Sequence, residues 1–324
     1  MNTIAKLSAY GAVLALIVTG AFAVGTAVGP LTTTSGAAPA GAVAAGQGDA
    51  HSGTVAEAPQ PGMGQPPDQP GGLASTVGGY TLSPTEPTLT AGPTAPFRFT
   101  ITGPDGAPVT AFDVEHDKRM HLIVVRRDTS GFQHVHPEMA PDGTWSVPLT
   151  VPTAGSYRAF ADFTPTGGAA TTLGVDLAAA GSFEPVTHVP SRTAQVDGYT
   201  VELAGDLVPG QTSPVTLTVR RDGAAVTDLQ PYLGAYGHLV ALREGDLAYL
   251  HVHPDGAPGD GVTAPGPQVP FAAEVPSAGT YRLFLDFRHG DVVRTAEFTV
   301  PTAGPGAAPA APAAQPHGEP GHGH

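Results

Sequence analysis

Short runs of alternating apolar and polar residues, broken by Gly, Pro and Asp, recur along the chain from about residue 76 to residue 300. Examples are 97–102, His121–Arg126, 132–136, 144–151 and 156–163. Alternation with a period of two predicts strands with one buried face, and turn residues at this spacing predict antiparallel connections. Some seven such runs in about 100 residues is the pattern of a β-sandwich.

The pattern is present twice. Gly79-Tyr-Thr-Leu82 matches Gly198-Tyr-Thr-Val201, and Gly106-Ala-Pro-Val-Thr110 matches Gly223-Ala-Ala-Val-Thr227. Later, Ala154-Gly-Ser-Tyr-Arg158 matches Ala278-Gly-Thr-Tyr-Arg282, and the opening of that late strand suits a tight corner. The offset is 117 to 119 residues at first and rises to 124 after a longer Gly/Pro loop at 255–267 in the second copy. A tandem duplication is the simplest account. The expected fold is all-β: two tandem immunoglobulin-like β-sandwich domains, at 76–185 and 192–300. The likeness is of architecture only, since no Cys–Trp–Cys pattern is present.

Between the alternating runs lies a repeated histidine pattern. His121 stands 13 residues before His134, in His134-Val-His136-Pro137, and His238 stands 13 before His251, in His251-Val-His253-Pro254. Read as hairpins with two-residue loops at Asp128-Thr129 and Gly245-Asp246, the two stretches place His121 opposite His136 and His238 opposite His253. Opposed residues share a face, as do residues two apart, so each hairpin gathers three imidazoles. In the first copy, Thr129-Ser-Gly131 equally allows a longer bulged turn. A one-residue slip there would turn His121 to the other face. Proline after each His-Val-His is expected to end the ladder, because it has no N–H to give.

Outside the repeats the chain reads differently. An apolar run near residues 7–28 carries no charge, follows Lys6 and contains Ala21-Phe-Ala23, the small-x-small form of a signal-peptidase site. The run is long enough to span a bilayer, so residues 1–28 are read as a helical signal anchor or a cleaved signal, with export in either case. Residues 29–75 are rich in Gly, Ala and Pro and are expected to form a disordered tether, and residues 301–324 a disordered tail ending in His322-Gly-His324.

Composition narrows the chemistry. With 43 Gly and 35 Pro in 324 residues and 6% aromatics, a helical bundle is disfavoured. A net charge of −14 with 14 Lys+Arg offers no footprint for nucleic acid or anionic headgroups, and suits cations. There is no cysteine, which removes disulfides, thiolate ligands and a blue-copper centre. A metal site here must use His, carboxylate or Met, leaving a copper or zinc ion as the expected guest.

The expected ligands are His121, His134 and His136 with Asp162, and His238, His251 and His253 with Asp286, since a His3Asp set closes a tetrahedral site. Met120 and His116 stand near the first set, although His116 fits a solvated acidic loop better. A competing reading comes from the same strands. Ile123, Val125 and Phe132 share the histidine face, which makes it a candidate core face with hydrogen-bonded, structural histidines. Asp162 and Asp286 also share strand faces with Arg158 and Arg282, so an Asp–Arg pair would explain the aspartates. No Gly-x-Ser-x-Gly elbow, His-Glu-x-x-His or phosphate-binding glycine loop is found, and the expected protein is not an enzyme.

The stretch Pro231-Tyr-Leu-Gly-Ala-Tyr-Gly-His-Leu-Val-Ala-Leu-Arg243, with Leu250-His-Val-His-Pro254, resembles a motif of exported bacterial proteins labelled heavy-metal- or copper-associated. The resemblance covers roughly 76–300 and departs at Tyr236, where the motif has Met. Together with the histidine hairpins and the apolar N-terminal run, it supports the expectation of an extracytoplasmic metal-binding protein, anchored to the membrane by its N-terminal helix or secreted. One copper or zinc site per repeat would serve sequestration or delivery to a protein partner. The alternative is a cell-surface adhesion or scaffold protein with structural histidines, its long loop at 255–267 available for contact.

Overall fold

The computed structural model describes residues 70–304. The apolar run, nearly all of the tether and most of the tail lie outside them. Among the described residues no helix is long and apolar enough to cross a membrane.

The first half consists of β1 (Thr76–Val77), β2 (Tyr80–Pro84), β3 (Thr88–Leu89), β4 (Thr94–Thr102), β5 (His121–Arg126), β6 (Gln133–Val135), β7 (Glu138–Met139), β8 (Thr144–Thr150), β9 (Gly155–Phe163) and β10 (Thr171–Ala179). The second consists of β11 (Thr193–Val196), β12 (Tyr199–Ala204), β13 (Thr212–Arg221), β14 (Ala224–Ala225), β15 (His238–Arg243), β16 (Tyr249–Pro254), β17 (Gln268–Glu274), β18 (Thr280–His289) and β19 (Val292–Pro301). In the first half two sheets, β1-β2-β4-β8-β7 and β3-β10-β9-β5-β6, face each other. The second half repeats them, but its two layers join into one path, β11-β12-β13-β17-β16-β15-β18-β19.

The alternating strands behave as their pattern predicts. β4 turns Phe97, Phe99 and Ile101 inward, where they meet Trp145 of β8 and Leu122 and Val124 of β5 in the first core. β13 does the same with Val215, Leu217 and Val219 in the second. The late strand opens on a tyrosine corner in both copies. Tyr157 Oη donates to Thr153 O at 2.7 Å, and Tyr281 Oη to Ser277 O at 3.0 Å.

β5, β9, β15 and β18 depart from alternation. All six residues of β5 are buried, as are the first five of β15 and seven consecutive residues of β18. One face of each strand lines its own sandwich core. The other face meets the opposite half. Ile123, Val125 and Phe160 pack there against Val240, Leu242, Leu247, Tyr249 and Phe284 in a third apolar cluster that belongs to neither sandwich. The packing is reciprocal: Phe132 of the first half stacks on Phe284 of the second, and Tyr249 of the second on Phe160 of the first. The chain just before β1 enters the same seam, with the Tyr249 N–H donating to Gly71 O at 3.1 Å. Arg158 donates twice to Gly72 O and once to Leu73 O. The end of the expected tether is thus built into the packed structure.

Both hairpins keep the register derived from their sequences: Ile123 pairs with His134, and Val240 with His251. The turns themselves are wider than two residues. In the first, Arg126 N–H donates to Ser130 O, and Thr129 and Gly131 take left-handed φ values of 67° and 64°. In the second, Arg243 N–H donates to Ala248 O, around a loop with Gly245 and Leu247 at φ 98° and 60°. The cause is an Arg–Asp fork. Arg126 grips Asp128 through Nε and Nη2 at 2.9 and 2.6 Å, and Arg243 grips Asp246 in the same way. The residue expected to close the tighter loop pairs sideways instead, Glu244 N–H donating to Thr280 O.

Proline ends the ladder in one copy only. In the first, β6 stops at Val135 and pairing resumes in the other sheet at Glu138. In the second, β16 runs through Pro254, opposite Phe271 of β17, and joins the two layers. Pro254 needs no N–H there because the strand has changed partners.

Candidate metal centre between the halves

His121 begins β5 opposite Asp162 of β9, and His238 begins β15 opposite Asp286 of β18. These positions lie at one end of the seam, past the apolar cluster. One ring nitrogen from each of His121, His134 and His136 lies within 4.8 Å of the others. The side chains of His134 and Asp286 are 4% and 5% exposed, so this is a dry place for ionisable groups.

The hydrogen bonds define which nitrogens face inward. His134 Nδ1 lies 2.8 Å from Asp286 Oδ2, and since a carboxylate only accepts, Nδ1 carries the proton and Nε2 the lone pair. His121 Nε2 lies 3.1 Å from Glu115 O, a carbonyl, so in the neutral ring Nδ1 carries the lone pair. Yet His121 Nδ1 and His134 Nε2 are only 3.1 Å apart. Two neutral rings fixed in this way aim lone pair at lone pair. A cation between them resolves the conflict, either a proton on one ring or a metal ion shared by both. Two nitrogens on one tetrahedral ion at ~2.0–2.1 Å would stand roughly 3.3–3.4 Å apart, close to the spacing seen.

His136 supplies the third nitrogen. Its Nε2 is buried without a hydrogen-bond partner. Burial first, and then the neighbouring His134 and His121, hold its pKa down to about 2. The ring therefore stays neutral and keeps one nitrogen lone pair for a ligand role.

The two arginines that share strand faces with the aspartates bind elsewhere. Arg158 binds Asp176 and the carbonyls before β1, and Arg282 binds Glu297 and Thr299. Asp286 reaches across to His134 of the first half and accepts from Thr295 Oγ1 at 2.6 Å. Asp162 accepts from Thr172 Oγ1 at 2.8 Å and from Tyr249 Oη of the second half at 3.2 Å. Burial raises the Tyr249 phenol well above its ordinary pKa, with the Asp162 charge adding to it.

Other expected positions distribute unevenly. His238 donates through Nε2 to Tyr232 O and Leu233 O, the counterpart of the His121 bond. His251 stands opposite Val240 and His253 opposite Ala272 in backbone register. Met120 is 1% exposed in the first sandwich core, facing away from the histidines. The loop around His116 is exposed at Asp113, Glu115 and Asp117, as expected, but the His116 ring is half-buried and lies 6.1 Å from that of His121 and 5.4 Å from that of His238. A cavity of about 170 Å³ opens beside it, lined by Glu115, His116, Lys118, His121 and Asp162 among others. Tyr232 lies 5.9 Å from His238 and 6.4 Å from His136, its pKa raised by burial and by Asp286. No pattern in the sequence singles out Thr295 or Tyr249, and Tyr232 is marked only as part of the Pro231-Tyr-Leu-Gly-Ala stretch; their roles arise only once the halves meet.

Fold and site together define a tandem immunoglobulin-like sandwich protein with a histidine cluster buried where its halves join. The chain belongs to the family described as a domain of unknown function, DUF8832, whose profile matches residues 75–181 and 194–304, one match per repeat. No curated protein matches it. Among solved structures it is similar to FdeC, an Escherichia coli adhesin, at 13% identity and a TM-score of 0.21, covering 69% of this chain and 64% of that one. It is similar to Escherichia coli alpha-2-macroglobulin at 16% identity and 0.23, covering 69% and 20%. It is also similar to invasin, a bacterial integrin-binding protein, at 13% identity and 0.19, covering 68% and 39%. The chain thus spans less than two thirds of each of these, and TM-scores near 0.2 give the likeness no weight for function.

Proposed function

We propose that the protein binds a divalent transition-metal ion, zinc or copper, through His121, His134 and His136, and holds it for sequestration or delivery outside the cytoplasm. The observation that carries this reading is the 3.1 Å approach of His121 Nδ1 to His134 Nε2, with each ring's other nitrogen committed to an acceptor. Imidazole ligands without thiolate suit Zn²⁺ and Cu²⁺, and the core placement of Met120 keeps its thioether out of this set. A fourth position is left for water or for a donor group of a protein that exchanges the ion. Location outside the cytoplasm rests on the apolar run near residues 7–28. The second copy repeats the pattern through His238, His251 and His253, but the proposal commits to the first-half set.

A second reading has its own support. His121 and His238 each give a ring nitrogen to backbone carbonyls, as structural histidines do, in a sandwich pair suited to a cell-surface scaffold or adhesion role. Elemental analysis separates the two. The full chain, purified and washed free of loose metal, should retain about one more equivalent of zinc or copper than a variant with His121, His134 and His136 changed to Ala. Equal contents would overturn the first-half triad as the binder, leaving only the second-half and terminal histidines to hold metal, and no retained metal in either protein would favour the scaffold.

A further inference from the structure

The triad is drawn from one half, but its geometry is completed by the other. His134 sits on the short edge strand β6, and its Nδ1 is held by Asp286, 152 residues away on β18. Asp286 is itself fixed on its far oxygen by Thr295 Oγ1. A carboxylate on the Nδ1–H of a histidine determines which tautomer is present, how the ring is turned and how basic Nε2 is. The apolar cluster beside it keeps water out of the pair. We propose that Asp286 is a positioning residue for a divalent cation bound by the opposite half, so that the site is complete only when the halves are docked. This rests on the triad being a metal site. By linkage, an ion that prefers the docked arrangement also holds it closed, and loosening the seam weakens the ion.

The test uses the full chain and Zn²⁺, with affinity measured by competition against a chromophoric chelator. Asp286→Asn should weaken Zn²⁺ by roughly 10–100-fold, as loss of such an orienting partner does elsewhere. Asp286→Glu should recover part of that loss. Thr295→Ala, a milder change that removes only the bond to the far oxygen, should weaken Zn²⁺ in the same direction and serves if Asp286→Asn does not fold. Co²⁺ gives a readout that mere loss of stability would not move: its visible band should change shape in Asp286→Asn, because the His134 donor is no longer oriented. Phe284→Ala, which touches none of the nitrogens, should also weaken Zn²⁺. If the unaltered protein binds Zn²⁺ no more tightly than the variant with His121, His134 and His136 changed to Ala, the triad reading fails and this inference with it. If it binds, but Asp286→Asn and Thr295→Ala bind equally well with an unchanged Co²⁺ band, the inference alone is overturned.

Discussion

Everything proposed for the histidines depends on the two halves meeting through the faces of β5, β9, β15 and β18, and the pair Phe132–Phe284 offers the sharpest test of that. The two rings stack with centroids 4.0 Å apart and planes 5° from parallel, one from each half. Phe284 is fully buried, with the Arg282 guanidinium 5.2 Å from its ring centroid. Phe284→Ala should cost about 3–5 kcal/mol, the usual range for a buried phenylalanine. At about 2–4 °C per kcal/mol for a folded unit near 200 residues, that lowers Tm by roughly 6–20 °C. A destabilisation of this size would equally follow if Phe284 packed within its own half. The discriminating quantity is therefore the coupling. A double-mutant cycle with Phe132→Ala, followed by urea denaturation, should return an interaction energy of about 0.5–1.5 kcal/mol, the increment for an aromatic pair beyond its buried area. Coincident fluorescence and circular dichroism transitions are needed first, since the cycle assumes two-state unfolding. Additivity within about 0.3–0.5 kcal/mol, at an unchanged m-value, would mean the rings do not meet and would remove the basis for a site between the halves.

Two further outcomes follow from the hairpin forks and the seam. Burial opposes ionisation of Asp128, but the Arg126 fork, the Val186 and Ser130 N–H groups and the Ser130 hydroxyl outweigh it and hold the carboxyl well below the usual range. A depressed carboxylate stabilises the fold above its unfolded pKa of about 3.9 and loses that contribution as pH falls toward the folded value. Asp128→Asn should cost about 3–5 kcal/mol at neutral pH, as for a broken buried pair, and the gap to the unaltered protein should narrow by up to about 1.4 kcal/mol per unit below pH 4 in denaturation curves. A gap that stays constant down to pH 2 would contradict the assigned ion pair. At Gly174 a Cβ would lie 1.9 Å from Gly72 O and 2.9 Å from Arg158 Nε. Gly174→Ala should therefore push the segment before β1 out of the seam at a cost of about 1–3 kcal/mol. Amide exchange should show lost protection at Gly72 and Tyr249, and retained protection at both would refute it.

Each sandwich was legible because its strands carry their own pattern. Phe97, Phe99 and Ile101 alternate with exposed or half-buried neighbours, and the repeated Ala-Gly-Ser/Thr-Tyr-Arg marks the same corner twice. The hairpin register was legible too, because inward and outward alternation ties pairing to sidedness. The docking of the halves leaves one trace in the sequence. Leu122-Ile-Val-Val125 and Leu239-Val-Ala-Leu242 are apolar at every position, which is how strands covered on both faces read. Taken as ordinary half-buried strands, they leave the histidine face either solvated or in a sandwich core. The structure puts it in neither place. The pairing of His134 with Asp286 has no local signature at all, since it exists only after two separate cores have formed and met. The same holds for His116, whose acidic neighbours read as solvated while its ring lies against the cluster.

The crosswise stacking of Phe132 on Phe284 and Tyr249 on Phe160 has an implication for how the protein is assembled. A surface whose knob fills its own copy's hole, and whose hole takes that copy's knob, is self-complementary, as in an isologous dimer about a two-fold axis. One repeat alone carries both parts of that complement. Fusing two repeats in one polypeptide replaces a second-order encounter with a tethered one, at an effective concentration in the millimolar range for a short flexible link. It also frees the copies from identity, so that His116 in one and Tyr232 in the other can each set beside the histidine cluster a ring its twin lacks.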